Sequence, residues 1–147
     1  ARLAENLALK DIRVLITGEQ ADPEELKTLK ALTIKSCPII ACGKTTVNQL
    51  VSLIKRCGVF IAGDTAPLHI ACGAGIPTVA LFGPTDPKRH MLSDEQVTLF
   101  YKALSCQPCY KPRCNSTKCM KQISVEEVEE AVMGLLNARE LTKVAPA

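Results

Sequence analysis

The hydrophobic pattern of this chain alternates between short continuous apolar runs and longer segments in which apolar residues recur every three or four positions. The continuous runs predict strands at residues 12–17, 38–41, 59–62 and 78–82, and a weaker run predicts another at 96–101. The periodic segments predict amphipathic helices that precede, separate and follow these strands. This alternation favours an α/β fold, a Rossmann-like parallel sheet with right-handed crossovers and helices on both faces.

Polar and small residues indicate where several helices begin and end. Asp22 followed by Pro23 predicts a helix start, because a carboxylate can cap the free amides and Pro suits the first helical position. Ser124-Val-Glu-Glu127 is a capping box, which predicts the start of the final helix. Gly73 and Gly75 are predicted to let the preceding helix pack closely and to end it before Pro77.

Composition narrows the class of protein. The 147 residues make one domain of ordinary size, and their 47% hydrophobic content excludes intrinsic disorder. No apolar run approaches the roughly 20 residues that a membrane span needs. With 18 Lys and Arg against 15 Asp and Glu, the net charge of +3 is small and spread along the chain, which gives no ground for a nucleic-acid or membrane partner.

The beginning of the chain and its cysteines indicate a compartment. Residues 1–11 lack the basic start and apolar stretch of a secretory signal, and they resemble a helix already under way, so we expect the chain to begin inside an element. Half of the eight cysteines lie in apolar segments of a chain too large to need disulfide staples: Cys37, Cys42, Cys57 and Cys72. These features favour a reducing cytosol.

Ligands of parallel α/β sheets bind at the carboxyl ends of the strands, and the most informative such stretch is residues 63–69, GDTAPLH. Its glycine turn places an acid, a hydroxyl and free backbone amides at the start of a helix, an arrangement that binds phosphate. Alternatively, Asp64 or Thr65 serves only to cap the helix. His69 lies about one turn further, and its alternative role is a helix residue bonded to a backbone carbonyl.

A second glycine turn invites a different class of protein. Gly43-Lys44-Thr45, between a strand and a helix, resembles the end of a P-loop and suggests a nucleotide hydrolase or kinase. A P-loop needs a glycine five positions before Gly43, where this chain has Pro38. A glycine turn followed by a helix cap at Thr45 accounts for these residues instead.

Four cysteines follow the 96–101 strand at a spacing that could surround one tetrahedral zinc ion: Cys106, Cys109, Cys114 and Cys119. Zinc knuckles that bind nucleic acid have a similar spacing, and basic neighbours would fit that class: Lys111, Arg113, Lys118 and Lys121. The segment holds one aromatic residue, Tyr110, and lies between a strand and a helix, which disfavours a nucleic-acid module. Structural zinc, disulfides and free thiols stay open, and we expect a structural role rather than a catalytic one.

Residues 60–87, FIAGDTAPLHIACGAGIPTVALFGPTDP, strongly resemble the C-terminal domain of the glycosyltransferase family 9 heptosyltransferases, which build the inner core of lipopolysaccharide. The family has D-T-G-x-x-H in the first part of this stretch and F/Y-G-P-T-D-P in the second. The later pieces CQPCYK at residues 106–111 and CMK at 119–121 are also similar to those of many members. The resemblance runs from the first helix to the last, and the paired motifs are specific.

The resemblance implies a GT-B architecture of two Rossmann-like domains, in which residues 1–147 correspond to the C-terminal, nucleotide-sugar-binding half. It implies an inverting transfer of heptose from ADP-heptose to the lipopolysaccharide inner core. The alternative is another glycosyltransferase of the same family that uses a different nucleotide sugar. The catalytic base and a phosphate-binding lysine of the family have no counterpart here, because the acceptor domain is absent and this domain is incomplete at its N-terminus. We therefore expect residues 1–147 to bind donor without catalysing transfer alone.

The resemblance also assigns roles residue by residue around the first turn. It implies that Asp64 approaches the sugar, and that Thr65, Ala66 and Pro67 offer amides or shape to the diphosphate. It places His69 near the sugar or the phosphate. Ala66 stands where the family usually has glycine, which puts the binding detail in question if that position needs a positive φ.

Further residues are assigned in the same way. Lys44 and Thr45 fall where the family contacts adenine. An acid near the start of the second helix binds ribose, for which Asp22 is the first choice and Glu24 and Glu25 are the alternates.

Thr85 and Asp86 would line the cleft that faces the acceptor domain.

No cation is expected to be required, because a helix N-terminus with Lys or Thr donors can stabilise a departing diphosphate. The structural zinc ion considered above is the one possible cofactor. The implied partners are an ADP-sugar donor and a lipid-linked saccharide acceptor, with no nucleic acid. The implied location is the cytoplasm, peripheral to the inner membrane face.

Overall fold

The computed structural model of the chain describes residues 1–20, 22–32, 38–91 and 96–144. Two compact units result, unit 1 over residues 1–50 and unit 2 over residues 51–147. Each unit contains a parallel β-ladder with neighbouring helices, so the predicted α/β, Rossmann-like class is confirmed. The strands that the structure describes form two separate ladders, whereas the sequence led us to expect one continuous sheet.

Unit 1 is built from short elements. Helices α1 (Arg2–Ala8) and α2 (Pro23–Leu32) accompany strands β1 (Leu15–Ile16) and β2 (Ile39–Ile40), which pair in parallel. Both strands are shorter than the predicted runs at residues 12–17 and 38–41. The parallel hydrogen-bond pattern extends beyond both strands, because the amide of Ile39 donates to Val14, that of Ala41 to Ile16 and that of Gly43 to Gly18.

Unit 2 starts within α3 (Val47–Ile54) and contains a three-stranded parallel sheet in the order β3-β4-β5. Its strands confirm the runs predicted at residues 59–62, 78–82 and 96–101, each to within a residue at either end: β3 (Phe60–Gly63), β4 (Thr78–Leu81) and β5 (Val97–Phe100). Its other helices are α4 (Ala66–Gly73), α5 (Pro87–His90), α6 (Lys118–Lys121) and α7 (Val125–Val144). The hydrophobic pattern did not predict α5 or α6, because four residues make barely one turn.

The core of unit 2 lies between α4 and the central strand. Leu68 of α4 and Ala80 of β4 are fully buried with Phe82, which follows β4. Thr78 and Val79 are also fully buried. Since successive residues of a strand point to opposite faces, both faces of β4 are covered, which is typical of a central strand in a parallel sheet.

Helix α7 closes unit 2 as predicted. Val128 and Val132 are buried on one side of it, and the guanidinium of Arg139 donates to the backbone carbonyls of Cys57 and Gly58. The predicted capping box is confirmed, because the Ser124 hydroxyl accepts from the Glu127 amide at 3.1 Å and the Glu127 carboxylate accepts from the Ser124 amide at 2.9 Å. Among the helices that the structure describes, none combines the length and the apolar character needed to cross a bilayer.

Two other helix ends test the sequence predictions. The predicted helix end is confirmed, because α4 ends at Gly73 and Gly75 adopts a φ of +65°, with its amide bonded to the Cys72 carbonyl. The predicted close packing is wrong, because a Cβ at Gly73 or at Gly75 would meet nothing within 4 Å among the described residues. The predicted cap at Thr45 is wrong. Thr46 caps α3 instead, because its hydroxyl accepts from the Gln49 amide at 3.3 Å while the Gln49 side chain accepts from the Thr46 amide at 2.9 Å.

Candidate functional site

The turn between β3 and α4 presents a helix start that no side chain caps. Thr65 occupies the N-cap position in an extended conformation, but its hydroxyl donates to the Gly63 carbonyl at 3.2 Å and makes no capping bond. Asp64 caps nothing either, since its one interaction in the described structure is with His69. The alternative that these residues serve only as caps is therefore wrong. The first turn of α4 therefore has backbone amides that can donate hydrogen bonds to an anionic ligand.

The structure brings Asp64 and His69 together beside this helix start. An Asp64 carboxylate oxygen lies 3.6 Å from Nε2 of His69, a loose pair that attracts when the imidazole is protonated. The Asp64 side chain is 15% exposed and that of His69 is 49% exposed. The alternative in which His69 bonds to a backbone carbonyl is not what the structure shows. A largely enclosed carboxylate with one loose partner retains accepting capacity for ligand hydroxyl groups.

Ala66 occupies the position where positive φ was in question. It lies in the first turn of α4 and is not among the residues with positive φ. An alanine is therefore accommodated there without backbone strain. Pro67, which follows it, has no amide hydrogen, so any donors at this end of the helix come from its neighbours.

The turn after β4 is a second element at the carboxyl edge of the unit 2 sheet. Asp86 caps α5, because its carboxylate accepts from the Lys88 amide at 3.0 Å. The hydroxyl oxygen of Thr85 is buried and has no hydrogen-bond partner among the described residues. Burial raises the pKa of Tyr101, and the nearby Asp86 carboxylate adds to that increase.

The loop that follows β5 holds this turn in place. The carbonyl of Pro84 accepts from the amides of Cys109 and Tyr110, both at 2.9 Å, and the side chain of Gln107 donates to the carbonyl of Gly83. A Cβ on Gly83 would lie 2.9 Å from the sulfur of Met120, so the end of that side chain packs closely against the turn. Sequence reasoning missed Gln107, because its partner lies 24 residues away and no periodic pattern predicts it.

The candidate residues of unit 1 surround a different feature. The Asp22 carboxylate accepts from the Glu24 amide at 2.8 Å, which confirms the predicted start of α2. Gly43 has a φ of +68° and lies so close to Gln20 that a Cβ would be 3.2 Å from its Cα. Lys44 beside it is exposed and Thr45 is half-buried. The side chain of Glu25 lies outside what the structure describes.

A groove of about 620 Å³ adjoins these residues within unit 1. Its lining combines apolar, polar and basic side chains from α2, from the residue two before Asp22 and from the start of the turn at Gly43: Gln20, Pro23, Leu26, Lys27, Lys30, Cys42 and Gly43. Such a lining suits a flat ligand of mixed polarity with a negative charge. The groove was not predicted, because the hydrophobic pattern carries no information on how α2 and the turns pack together.

The structure does not gather the four cysteines of the loop into a metal site. Cys106 and Cys114 are exposed, Cys109 and Cys119 are half-buried, and all four are free thiols. Within the described parts of the chain, no three His, Cys, Asp or Glu side chains are placed to hold a metal ion. Structural zinc therefore stays a prediction without geometric support.

The other cysteines are free thiols as well. Cys42, Cys57 and Cys72 are half-buried, and burial raises the pKa of the Cys57 thiol. Cys37 lies outside the described residues. Hydrogen bonds with the Ser116 side chain and with the backbone at Thr117 and Ser116 lower the pKa of Cys114 to about 7, so this exposed thiol is the most readily ionised of those described.

Comparison with known proteins identifies the family and the fold. A family model described as glycosyltransferase family 9 (heptosyltransferase) matches residues 1–120. A curated relative, lipooligosaccharide heptosyltransferase 2 of Campylobacter jejuni subsp. jejuni serotype O:2, is 35% identical over 131 residues, which are 84% of this chain and 40% of that protein.

Two solved structures have the same fold. The glycosyl transferase family 9 protein of Veillonella parvula superposes with a TM-score of 0.71 at 25% identity, covering 93% of this chain and 40% of that one. The E. coli ADP-heptose lps heptosyltransferase II superposes with a TM-score of 0.76 at 24% identity, covering 95% of this chain and 40% of that one. The chain thus spans about two fifths of the length of the relatives it matches.

Proposed function

Because the chain belongs to glycosyltransferase family 9, we propose that it is the donor-binding part of an inverting enzyme that transfers heptose from ADP-heptose to the lipopolysaccharide inner core. The observation that carries the proposal is the uncapped start of α4 beside the Asp64 carboxylate, at the carboxyl end of β3. In parallel α/β sheets this is the edge where nucleotide ligands bind. The 35% identity to a lipooligosaccharide heptosyltransferase supports the choice of sugar.

The proposed reaction makes a demand that this geometry meets. An acceptor hydroxyl attacks the anomeric carbon, the bond from that carbon to the diphosphate oxygen breaks, and the electron pair leaves with ADP. Negative charge therefore develops on the diphosphate, and backbone amides at the start of α4 stabilise it without an obligatory cation. The hydroxyl proton passes to a base that we place in an acceptor-binding domain outside residues 1–147.

Each residue of the turn has a role in this proposal. Asp64 accepts hydrogen bonds from hydroxyl groups of the donor sugar, and His69 lies near the sugar or the phosphate. Thr65 and Ala66 donate backbone amides to the diphosphate, and Pro67 shapes the turn. Because the Thr65 hydroxyl donates to the Gly63 carbonyl, its oxygen still has lone pairs for a ligand.

Residues of the other elements complete the assignment. Thr85 and Asp86 line the side of the site that receives the acceptor, and the Thr85 hydroxyl is buried with no hydrogen-bond partner among the described residues. In unit 1, Lys44 and Thr45 contact the adenine of the donor and Asp22 contacts its ribose. Asp22 already accepts from the Glu24 amide, so it would use its remaining lone pairs.

The proposal also assigns a setting. The acceptor is a saccharide carried on a lipid, and the enzyme works in the cytoplasm, peripheral to the inner face of the inner membrane. A glycosyltransferase of the same family with another nucleotide sugar would use the same diphosphate-binding turn. An experiment therefore has to identify the nucleobase and the sugar of the donor.

An NMR titration of the 147-residue chain with ADP, and in parallel with UDP and GDP, tests this function. We expect amide shifts from Gly63 to His69 and around Thr45, with ADP preferred. Shifts with UDP or GDP instead of ADP would replace the donor assignment. Absence of shifts with every nucleotide at millimolar concentration, for the chain and for the full-length protein, would overturn the proposed function.

A further inference from the structure

The expectation that the charge is spread along the chain is wrong for the basic residues, which are unevenly distributed. Residues 96–123 contain five Lys or Arg and no Asp or Glu, although the whole chain has a net charge of only +3. The remainder of the chain has 13 basic against 15 acidic residues. The positive charge of the protein is therefore concentrated in the segment that contains β5, the cysteine loop and α6.

Within unit 2, the cysteine loop and α5 converge on the turn after β4. Backbone amides of the loop donate to Pro84, and the rings of His90 and Tyr110 lie 6.0 Å apart. The sulfur of Met120, in α6, lies close to Gly83. Basic residues carried by α5, the loop and α6 are thus brought to one region although up to 33 residues separate them in sequence.

Six of these cations are exposed, and in the described structure none has a carboxylate partner: Lys88, Arg89, Lys111, Arg113, Lys118 and Lys121. Lys102 differs, because it pairs with Glu127 at 2.7 Å. Two large side chains lie among the six cations, Tyr110 at 45% exposure and Met120 at 39%. We call these eight residues the basic loop surface.

We propose that the basic loop surface binds the anionic headgroups of a phospholipid bilayer. Unpaired Lys and Arg near a negatively charged membrane are each attracted to it, and their effects add. Tyr110 and Met120 supply exposed apolar area of the kind that enters the headgroup region. A single-stranded nucleic acid fits less well, because Tyr110 and its neighbour His90 are the exposed aromatic rings that the described residues offer here for base stacking.

This inference rests on the proposed function for its setting, since a lipid-linked acceptor is available to the enzyme only at a membrane. The basic loop surface adjoins the turn that contains Thr85 and Asp86, which we place on the acceptor side of the site. Attraction of this surface to headgroups would hold that side of unit 2 close to the bilayer.

Co-sedimentation of the 147-residue chain with vesicles tests the inference. One vesicle is phosphatidylcholine alone, and in the other about a third of the lipid is phosphatidylglycerol. We expect binding to the anionic vesicle only, and we expect it to weaken steeply between about 0.05 M and about 0.5 M salt, because the Debye length shrinks. Equal binding to both vesicles, or to neither, would overturn the inference.

Matched variants separate this surface from net charge. The loop variant combines four substitutions: Lys111→Gln, Arg113→Gln, Lys118→Gln and Lys121→Gln. The control variant removes the same charge from exposed positions elsewhere: Arg2→Gln, Arg13→Gln, Lys55→Gln and Arg56→Gln. We expect the loop variant to lower the partition coefficient at least about tenfold and the control less than about threefold. Similar losses in both variants would contradict a specific surface.

Two further measurements test the lipid assignment, and a third reports on the proposed function. A third variant, Lys111→Arg with Lys118→Arg and Lys121→Arg, preserves the charge and should retain binding, which separates loss of charge from loss of fold. Binding of a single-stranded RNA as tight as that of the anionic vesicle at equal salt would overturn the lipid assignment. Shifts of residues 63–69 with ADP, recorded on the same sample, report on the proposed function separately from the lipid result.

Discussion

Units 1 and 2 contain the same kinds of element but differ in how much apolar surface they bury. In unit 2, side chains from β4, α4 and α7 are buried, and those of Leu68, Val79 and Phe82 are completely inaccessible. Among the described residues of unit 1, Ala4 and Leu7 are the buried apolar ones, whereas large apolar side chains are exposed, among them Leu9, Ile39 and Val47. Since burial of apolar area is the main source of stability, unit 2 holds its elements more firmly than unit 1 does.

The same difference separates the two groups of candidate site residues. The turn with Asp64 follows a four-residue strand paired to β4, of which the first three residues are fully buried, so its position is fixed before a ligand arrives. The turn with Lys44 follows a two-residue strand and adjoins an open groove. On the roles proposed above, the turn that would bind the diphosphate is preorganised, whereas the turn that would bind the nucleoside becomes ordered on binding and loses affinity through that ordering.

Core truncation should separate the units most strongly. Phe82→Ala removes a fully buried ring, and we expect the free energy of unfolding to fall by about 3–5 kcal/mol. Ile39→Ala, at a residue that is 58% exposed, is the unit 1 counterpart and should cost less than about 1 kcal/mol. Urea denaturation of the two variants measures both values. Equal losses would mean that the burial difference does not govern stability.

The next largest effect concerns the two turns. In the full-length glycosyltransferase, we expect Asp64→Ala to lower kcat/KM about ten- to hundredfold, because a substrate contact on a fixed turn is lost. Lys44→Ala, on the unit 1 turn, should cost less than Asp64→Ala. If Asp64→Ala leaves turnover within about threefold of the parent, less than about 1 kcal/mol in the barrier, the role assigned to Asp64 is wrong.

Helix caps provide a smaller comparison, since each unit contributes a capping box. Ser124→Ala should destabilise the chain by about 1 kcal/mol, because α7 packs on β4 and its loosening disturbs the core of unit 2. Thr46→Ala removes the equivalent bond at an exposed helix start and should cost about half as much. A larger loss at Thr46 than at Ser124, measured by urea denaturation, would reverse the proposed order of rigidity.

The sequence predicted what depends on local patterns. Apolar stripes indicated α3 and α7, and the spacing from Ser124 to Glu127 located a helix start correctly. The pattern Asp-Pro predicted α2 at Asp22 but was not applied at Asp86, where the same pair starts α5. The cap of α3 was placed one residue early, because the partner Gln49, three residues after Thr46, was not weighed.

Other features could not follow from local patterns. The proximity of Asp64 and His69 was foreseeable, because both lie at the start of one helix. The hydrogen bond from Gln107 to Gly83 depends on the path of a long loop. The distances between the four cysteine side chains depend on the path of the same loop. Nor does a linear pattern indicate that α5 and the cysteine loop bring separate basic residues together.

The ion pairs of the two units offer the smallest comparison. In unit 2, Lys102 lies 2.7 Å from Glu127 and lowers the pKa of that carboxyl, whereas in unit 1 Lys27 lies 4.0 Å from Glu24. We expect Lys102→Gln to lower the urea midpoint at neutral pH, and Lys27→Gln to leave it nearly unchanged. Because the folded state lowers the pKa of Glu127, the stabilising effect is complete above the ordinary carboxyl range and disappears as the pH falls through the lowered value. We would measure the urea midpoints of the parent and both variants from about pH 7 down to about pH 3. The midpoint of Lys102→Gln should converge with that of the parent at the acid end. A difference between these two midpoints that stays constant with pH would show that this pair does not act through the Glu127 carboxylate.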